Sequence, residues 1–365
     1  MTQEAFIGDG WREVIAPLSK LVDLDETARA SGALVRRREI KSGEDLLRLA
    51  VAWSVGGLSL RRSAAWAGTS GLAELCDSAV LRRLRKAADW LEGLVQSVVR
   101  ARAPSAGAEG RLIRLVDGST VGVVGSDRPG WRLHTAFDLP NGRIGDVVLT
   151  PASEGEGLER LPVVAGELCI ADRGFARPDG LRHVVDHGGD ILVRAGSRSL
   201  KLEIDGKPLD WMAVFAAAER DGFYDGAVLV LNGRKSRKTW PPLPLRLIVK
   251  PLPPEAAEAA RQRLRRAGQR ERYEPSRLAV AAAGHVMLVT SLSREHSQAD
   301  ELLALYRLRW QIELAFKRLK SLLEMRAVPT KDPGLAKTWL YANLLIALLT
   351  EDYGAELAES SPCAP

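Results

Sequence analysis

Three acids stand where a carboxylate could do chemistry. Asp117 closes a strand-like run in Leu115-Val-Asp-Gly-Ser-Thr, Asp172 closes another in Cys169-Ile-Ala-Asp-Arg-Gly, and Glu313 lies inside a long helical run. Three hard oxygen ligands suit Mg²⁺ or Mn²⁺ rather than zinc. Two such ions ~3.5–4 Å apart can activate water and stabilise both the attacking and the leaving oxygen of a phosphodiester. Taken singly, each acid has an ordinary reading, since Asp-Gly after a strand is a common turn and a helical acid usually faces solvent. The neighbours of Glu313 weigh against that reading. Tyr306, Arg309, Glu313 and Lys320 follow offsets of 3, 7 and 14. At ~100° per residue they fall in one stripe roughly 60° wide, with Leu308, Ile312, Ala315 and Leu319 on a separate, core-facing side. An intrahelical ion-pair ladder accounts for Arg309 and Glu313. A phosphate site accounts for all of them: arginine binds phosphate bidentately, lysine adds a point charge and tyrosine a hydrogen bond.

Positioning these groups requires particular elements. Residues 1–105 read as helical, with an amphipathic run over Glu44–Trp53, a short helix over Ser59–Gly68 and a later one over Ala79–Val95 that Ser78 would cap. The early turns of that last helix carry Arg82, Arg83, Arg85 and Lys86. The pattern resembles a helix-turn-helix with a long connector, and a helical bundle with a solvated basic face fits it as well. Residues 103–110 (APSAGAEG) read as a linker. In the segment 106–196, Arg111–Val116, Thr120–Val124 and Trp131–Phe137 read as a three-stranded meander. A helix over Glu156–Gly166, a fourth strand over Leu168–Ala171, a helix over Pro178–His187 and a strand over Ile191–Arg194 follow. That order predicts an α/β fold with an RNase H-like mixed sheet, whose first and fourth strands are neighbours with their terminal acids side by side. Residues 197–290 read as an inserted, mainly β subdomain, with strand-like runs at Ala227–Leu231, Leu245–Lys250 and Val286–Thr290. The same segment holds a proline cluster and six arginines between Arg261 and Arg272. Residues 291–350 complete the core with a long helix over Gln298–Leu322 and a second from about Gly334 to Thr350, and 351–365 is expected to be a disordered tail.

Tyr-x2-Arg-x3-Glu-x6-Lys, with DGS upstream and ADRGF between, resembles the IS4-type DDE transposases of bacterial insertion sequences over roughly residues 40–345. That resemblance implies an RNase H-like core interrupted by a β-rich subdomain before the glutamate. It implies that Asp117, Asp172 and Glu313 form a metal-binding triad for Mg²⁺, with Mn²⁺ able to substitute. Tyr306, Arg309 and Lys320 would then grip phosphates of the transposon end. The implied reaction cleaves phosphodiesters at the element's ends and transfers the 3′-OH ends to target DNA, with at least a dimer on double-stranded DNA. His285 stands where some relatives place a tryptophan that stacks on a flipped base, and a structural histidine is the other reading. Two rival functions share these motifs: an RNase H-like nuclease such as a junction resolvase, and a catalytically silent DNA-binding derivative. The stripe and the inserted segment argue against the first, and the presence of all three acids argues against the second.

Weaker signals complete the reading. Arg237 and Trp240, in Arg234-Lys-Ser-Arg-Lys-Thr-Trp240, could lie along a DNA backbone or decorate a hairpin tip. His134 and Asp138, one strand over from Asp117, either support it or serve the fold. His183 and His187 have a metal-like i,i+4 spacing without a third ligand, so zinc is not expected. Among the 365 residues, 46% hydrophobic and 27% charged indicate a folded chain of two or three domains. Fifty-two Lys+Arg against 46 Asp+Glu give +6, which favours polyanionic partners. Cys76, Cys169 and Cys363 are too scattered for a disulfide framework or a zinc ribbon. No signal peptide is evident, and the longest apolar stretch, Trp339–Leu349, is about half a membrane span. The expected location is the cytoplasm, at the nucleoid.

Overall fold

In the computed structural model the described residues are 10–102, 111–233, 240–314 and 327–359. Lys320, Arg237, Cys363 and the 103–110 linker lie outside them. Five helices come first: α1 (Trp11–Leu21), α2 (Leu24–Ala30), α3 (Gly43–Ser54), α4 (Leu60–Thr69) and α5 (Asp77–Ala101). Ser42 and Asp45 form a capping box on α3, and Ser59 caps α4. Cys76, not Ser78, is the N-cap of α5, without a side-chain bond.

The sheet strands are β1 (Ile113–Val123), β2 (Trp131–Asp138), β3 (Arg143–Pro151), β4 (Leu168–Ala171), β5 (Asp190–Arg194), β6 (Leu202–Ile204), β7 (Lys207–Pro208), β8 (Tyr224–Val230), β9 (Leu243–Pro251) and β10 (His285–Thr290). They run in the order β3-β2-β1-β4-β5-β10-β9-β8-β6-β7, with β11 (Ala327–Val328) added to β1. The helices among and after them are α6 (Pro178–Asp186), α7 (Trp211–Asp221), α8 (Pro254–Glu271), α9 (Arg277–Ala283), α10 (Ala299–Arg307), α11 (described over 310–314) and α12 (Pro333–Glu359). β1, β2 and β3 are antiparallel, while β4 is parallel to both β1 and β5. The mixed α/β sheet and the β1–β4 adjacency agree with the expected core.

Several local expectations require correction. The runs 111–116 and 120–124 are one strand, because Asp117 and Gly118 pair in register with Thr135 and His134 of β2. The third antiparallel strand is β3, which the periodicity did not reveal. Glu156–Gly166 holds only a 3-10 turn at Leu158–Arg160, since glycines at 155 and 157 and Pro162 deny it a longer helix. The segment 197–290 contains three helices, one of them the 18-residue α8, and its strands β8 and β9 continue the common sheet through β10. The expected helix 298–322 breaks after α10: Arg309 N–H bonds to Tyr306 O and Ile312 N–H to Arg309 O, both i→i+3. Residues 351–359, expected as tail, continue α12.

α12 binds the halves together. It packs against α5, α3 and α1, and its apolar residues share one core with α1–α5 and with Leu115, Leu133 and Val147 of the sheet. Thr338 donates to Leu84 O at 2.6 Å, and the buried Arg102 donates to Ile144 O at 3.3 Å. The helical segment 10–102 therefore covers one sheet face together with α12. The other face carries α6, α7 and α9 over Val116, Ala171, Val193 and Val289. Among the described residues, no helix is long and apolar enough to cross a membrane.

Candidate active site at the β1–β4 edge

One edge of β1 is shared by two short parallel partners. β4 pairs with residues 113–116, and β11 pairs with Gly122 and Val123. β4 leaves the ladder after Val116 and β11 joins it only at Gly122, which opens the sheet between them. Val116 pairs with Ala171, so the next residues, Asp117 and Asp172, emerge side by side at the end of the ladder. Asp117 accepts the Gly118 N–H at 2.8 Å, and Asp172 accepts the Arg173 N–H at 2.6 Å as N-cap of the turn Arg173–Phe175.

The electrostatics of the pair are unbalanced. Burial pushes the Asp117 carboxyl up to about 6; the Gly118 N–H and Arg309 oppose that rise, whereas Glu156 and Asp172 add to it. Such a carboxylate has too little positive charge around it. With an all-oxygen donor set, this is the environment a hard divalent cation would satisfy.

The break between α10 and α11 brings further groups to the pair. Tyr306 is largely buried; burial, then the charge of Asp172, pushes its phenol up to about 12, while Arg309 works the other way. Among the described residues, the Tyr306 hydroxyl finds no hydrogen-bond partner of ordinary geometry. Arg309 donates to Glu313 at 2.6 Å in an i,i+4 ion pair, with side chains 16% and 52% exposed. Burial opposes the Arg309 cation, but the Glu313 bond and the fields of Tyr306 and Asp172 hold its pKa above the usual value. Ile312 faces the core as expected. Among the described residues, no three His, Cys, Asp or Glu side chains converge closely enough to hold a metal ion. Asp117 and Asp172 are thus joined by Arg309 and Tyr306, while Glu313 stands one partner away.

Sequence reasoning missed Glu156. It forms an ion pair with Arg132 of β2, and its carboxylate lies against Gly118 and Gly174. The glycine after each aspartate motif was the available signal, because a glycine often marks a close approach.

The remaining candidates divide. Arg82 is exposed, whereas Arg83 donates to Arg36 O at 3.2 Å and Arg85 pairs with Asp332 at 2.7 Å. Trp240 is 36% exposed, with the Arg182 guanidinium 5.7 Å from its ring centroid. His285 is corrected as a base-stacking residue: it is 2% exposed, stacks on Phe215 at 4.5 Å and bonds Ala281 O at 2.8 Å. His134 is buried against Thr150, and burial pushes its pKa down to about 4. Asp138 belongs to a buried cluster in which Arg114 pairs with Asp138, Asp146 and Glu167. His183 and His187 contact each other at 4.4 Å between ring centroids.

Comparisons with known proteins point to one family. Residues 108–349 match the family model described as a transposase DDE domain. The chain is 41% identical over 347 residues to InsL for insertion sequence element IS186A of Escherichia coli strain K12, covering 94% of each. It is 40% identical over 348 residues to the transposase for insertion sequence element IS421 of Escherichia coli, again covering 94% of each.

Proposed function

The chain belongs to the transposase DDE domain family, and from that premise we propose that it is a DNA transposase working at the β1–β4 edge. It cleaves phosphodiesters at its element's ends and transfers the freed 3′-OH ends to target DNA. The observation that carries this reading is the parallel register that sets Asp117 beside Asp172, with Tyr306 and Arg309 against them. Asp117, Asp172 and Glu313 would hold Mg²⁺, or Mn²⁺ in its place. Bound there, such ions supply a water of lowered pKa and charge stabilisation for both oxygens of the displacement.

The protein's own residues do the rest. Arg309 would offer a guanidinium to phosphate in place of its Glu313 partner, leaving Glu313 free to serve as a metal ligand, and Tyr306 would bring a hydroxyl donor to the same place. Lys320, outside the described residues, completes the sequence stripe as a third phosphate-binding residue. The arginines of α5, Arg82 among them exposed, and Trp240 with Arg237 are further DNA contacts. A segment 1–105 that recognises terminal repeats, an insert 197–290 that follows the DNA, and a dimer pairing two ends complete this reading.

The test is incubation of the protein and Mg²⁺ with duplexes carrying the flanking ends, followed by a denaturing gel. Asp117→Asn, Asp172→Asn and Glu313→Gln should each abolish strand cleavage while end binding persists. Near-parental cleavage by any one of them refutes that acid's assignment.

A further inference from the structure

The loop after β3 sends Glu156 between the two aspartate motifs. A Cβ built on Gly118 would lie 3.0 Å from both Cγ and Oε1 of Glu156, and one built on Gly174 would collide with its Oε2. One carboxylate therefore occupies the space that both glycines leave. Its other anchor is Arg132, opposite Thr120 in the β1–β2 ladder, and the pair is mostly sheltered, with side chains 19% and 25% exposed. Strand alternation puts Gly118 and Asp117 on opposite faces of β1. Glu156 thus backs the strand from the face away from the Asp117 side chain, which suits a strut better than a metal ligand.

We infer that Glu156 is a positioning residue: held by Arg132, it sets the spacing between the Asp117–Gly118 strand and the Asp172–Gly174 turn. The inference rests on the active-site reading above, yet part of its test does not. The carboxylate acts by shape, filling the gap between the two backbones at Gly118 and Gly174. Its charge serves to fix it to Arg132. The two glycines are then explained together, since any side chain at either one would displace the strut.

Two measurements on the full chain decide it. The first is a stability cycle without DNA or metal. Gly174→Ala should lower the melting temperature in the parent, and the same substitution in a Glu156→Ala background should cost little, because the colliding carboxylate is gone. An equal loss in both backgrounds overturns the contact. The second is Mn²⁺ binding to the DNA-free protein, followed by electron paramagnetic resonance. Glu156→Ala should weaken Mn²⁺ binding about 10- to 100-fold, the range seen when groups behind metal ligands are removed. Glu156→Gln, which keeps the shape, should retain most of the affinity. Equal losses in Ala and Gln would show that the charge acts directly and would overturn positioning, as would unchanged affinity in Glu156→Ala. If the parent itself bound no Mn²⁺, the metal-site reading would fail, while the Gly174 cycle would still decide the strut.

Discussion

Arg309 has two prospective partners, and its substitution separates them. In the DNA-free protein it is paired with Glu313, which is 52% exposed. Such a partly exposed i,i+4 pair contributes only about 0.3–0.5 kcal/mol. Arg309→Ala and Glu313→Gln should therefore lower stability alike and slightly. Their effects on DNA should diverge. Losing one phosphate contact reduces the slope of log affinity against log salt by about 0.9, so between about 50 and 200 mM salt Arg309→Ala should lose about 3.5-fold less affinity than the parent. Glu313→Gln keeps the contact and removes the competitor, so it should bind ends about twofold more tightly at one salt concentration. Arg309→Lys should keep the slope, because a single charge remains, yet cleave poorly, because a lysine cannot present the bidentate fork. Fluorescence anisotropy over a salt series and a melting curve for each variant supply both readouts. Parallel salt slopes for parent and Arg309→Ala, with matched small stability losses, would reduce the pair to a surface ion pair and sink the phosphate assignment.

Other outcomes follow from the same structure. Arg114→Ala leaves Asp138, Asp146 and Glu167 buried without their shared cation, which should cost about 3–5 kcal/mol at neutral pH. Burial already raises all three carboxyls; groups with folded pKa above unfolded lose their contribution as pH rises, so urea melts should show the defect shrinking toward acidic pH, and an equal defect throughout would refute the account. On α8, Arg263, Arg266 and Arg270 are exposed on one helical stripe; their joint change to Gln should flatten the DNA salt slope by about 2.7 if all three meet phosphate, and an unchanged slope assigns them to solvent. A fragment of residues 1–105, stripped of α12, should bind a hydrophobic dye and melt without cooperativity, and a sharp cooperative melt would show that α12 is dispensable to it.

The sequence carried the aspartates well, because each ends or follows an apolar run that pairs with its neighbour in the sheet. It hid whatever depends on a distant partner. β3 reads poorly as a strand because Gly145 and Asp146 interrupt it. Both interruptions answer residues of other strands: a Cβ at Gly145 would strike the Asp138 carboxylate of β2, and Asp146 pairs with Arg114 of β1. α8 was obscured by prolines that suggest irregular backbone, although Pro254 begins the helix, where proline is tolerated. His285 matched a base-stacking position by its sequence context, but only the fold shows Phe215 beneath its ring.

The break at Leu308–Arg309 shows why spacing can succeed on a wrong premise. The wheel that grouped Tyr306, Arg309 and Glu313 assumed an uninterrupted helix, yet four i→i+3 bonds tighten the chain there. Over so few residues the tighter winding keeps Tyr306 and Arg309 on the side facing Asp172, so the grouping survives. What changes is Glu313, which lies beyond the break and meets Arg309 before it meets the aspartates. The elements on either side restrict how far this segment can shift. Upstream, Asp300 near the start of α10 pairs with Lys250 of β9 at 2.6 Å. Downstream, β11 returns to β1 at Gly122, five residues beyond Asp117. The strand that presents Asp117 thus receives the chain that carried Glu313. In the proposed site, completing the triad would then take a local exchange of partners at Arg309, for which DNA phosphate is the natural competitor, rather than a rearrangement of the sheet.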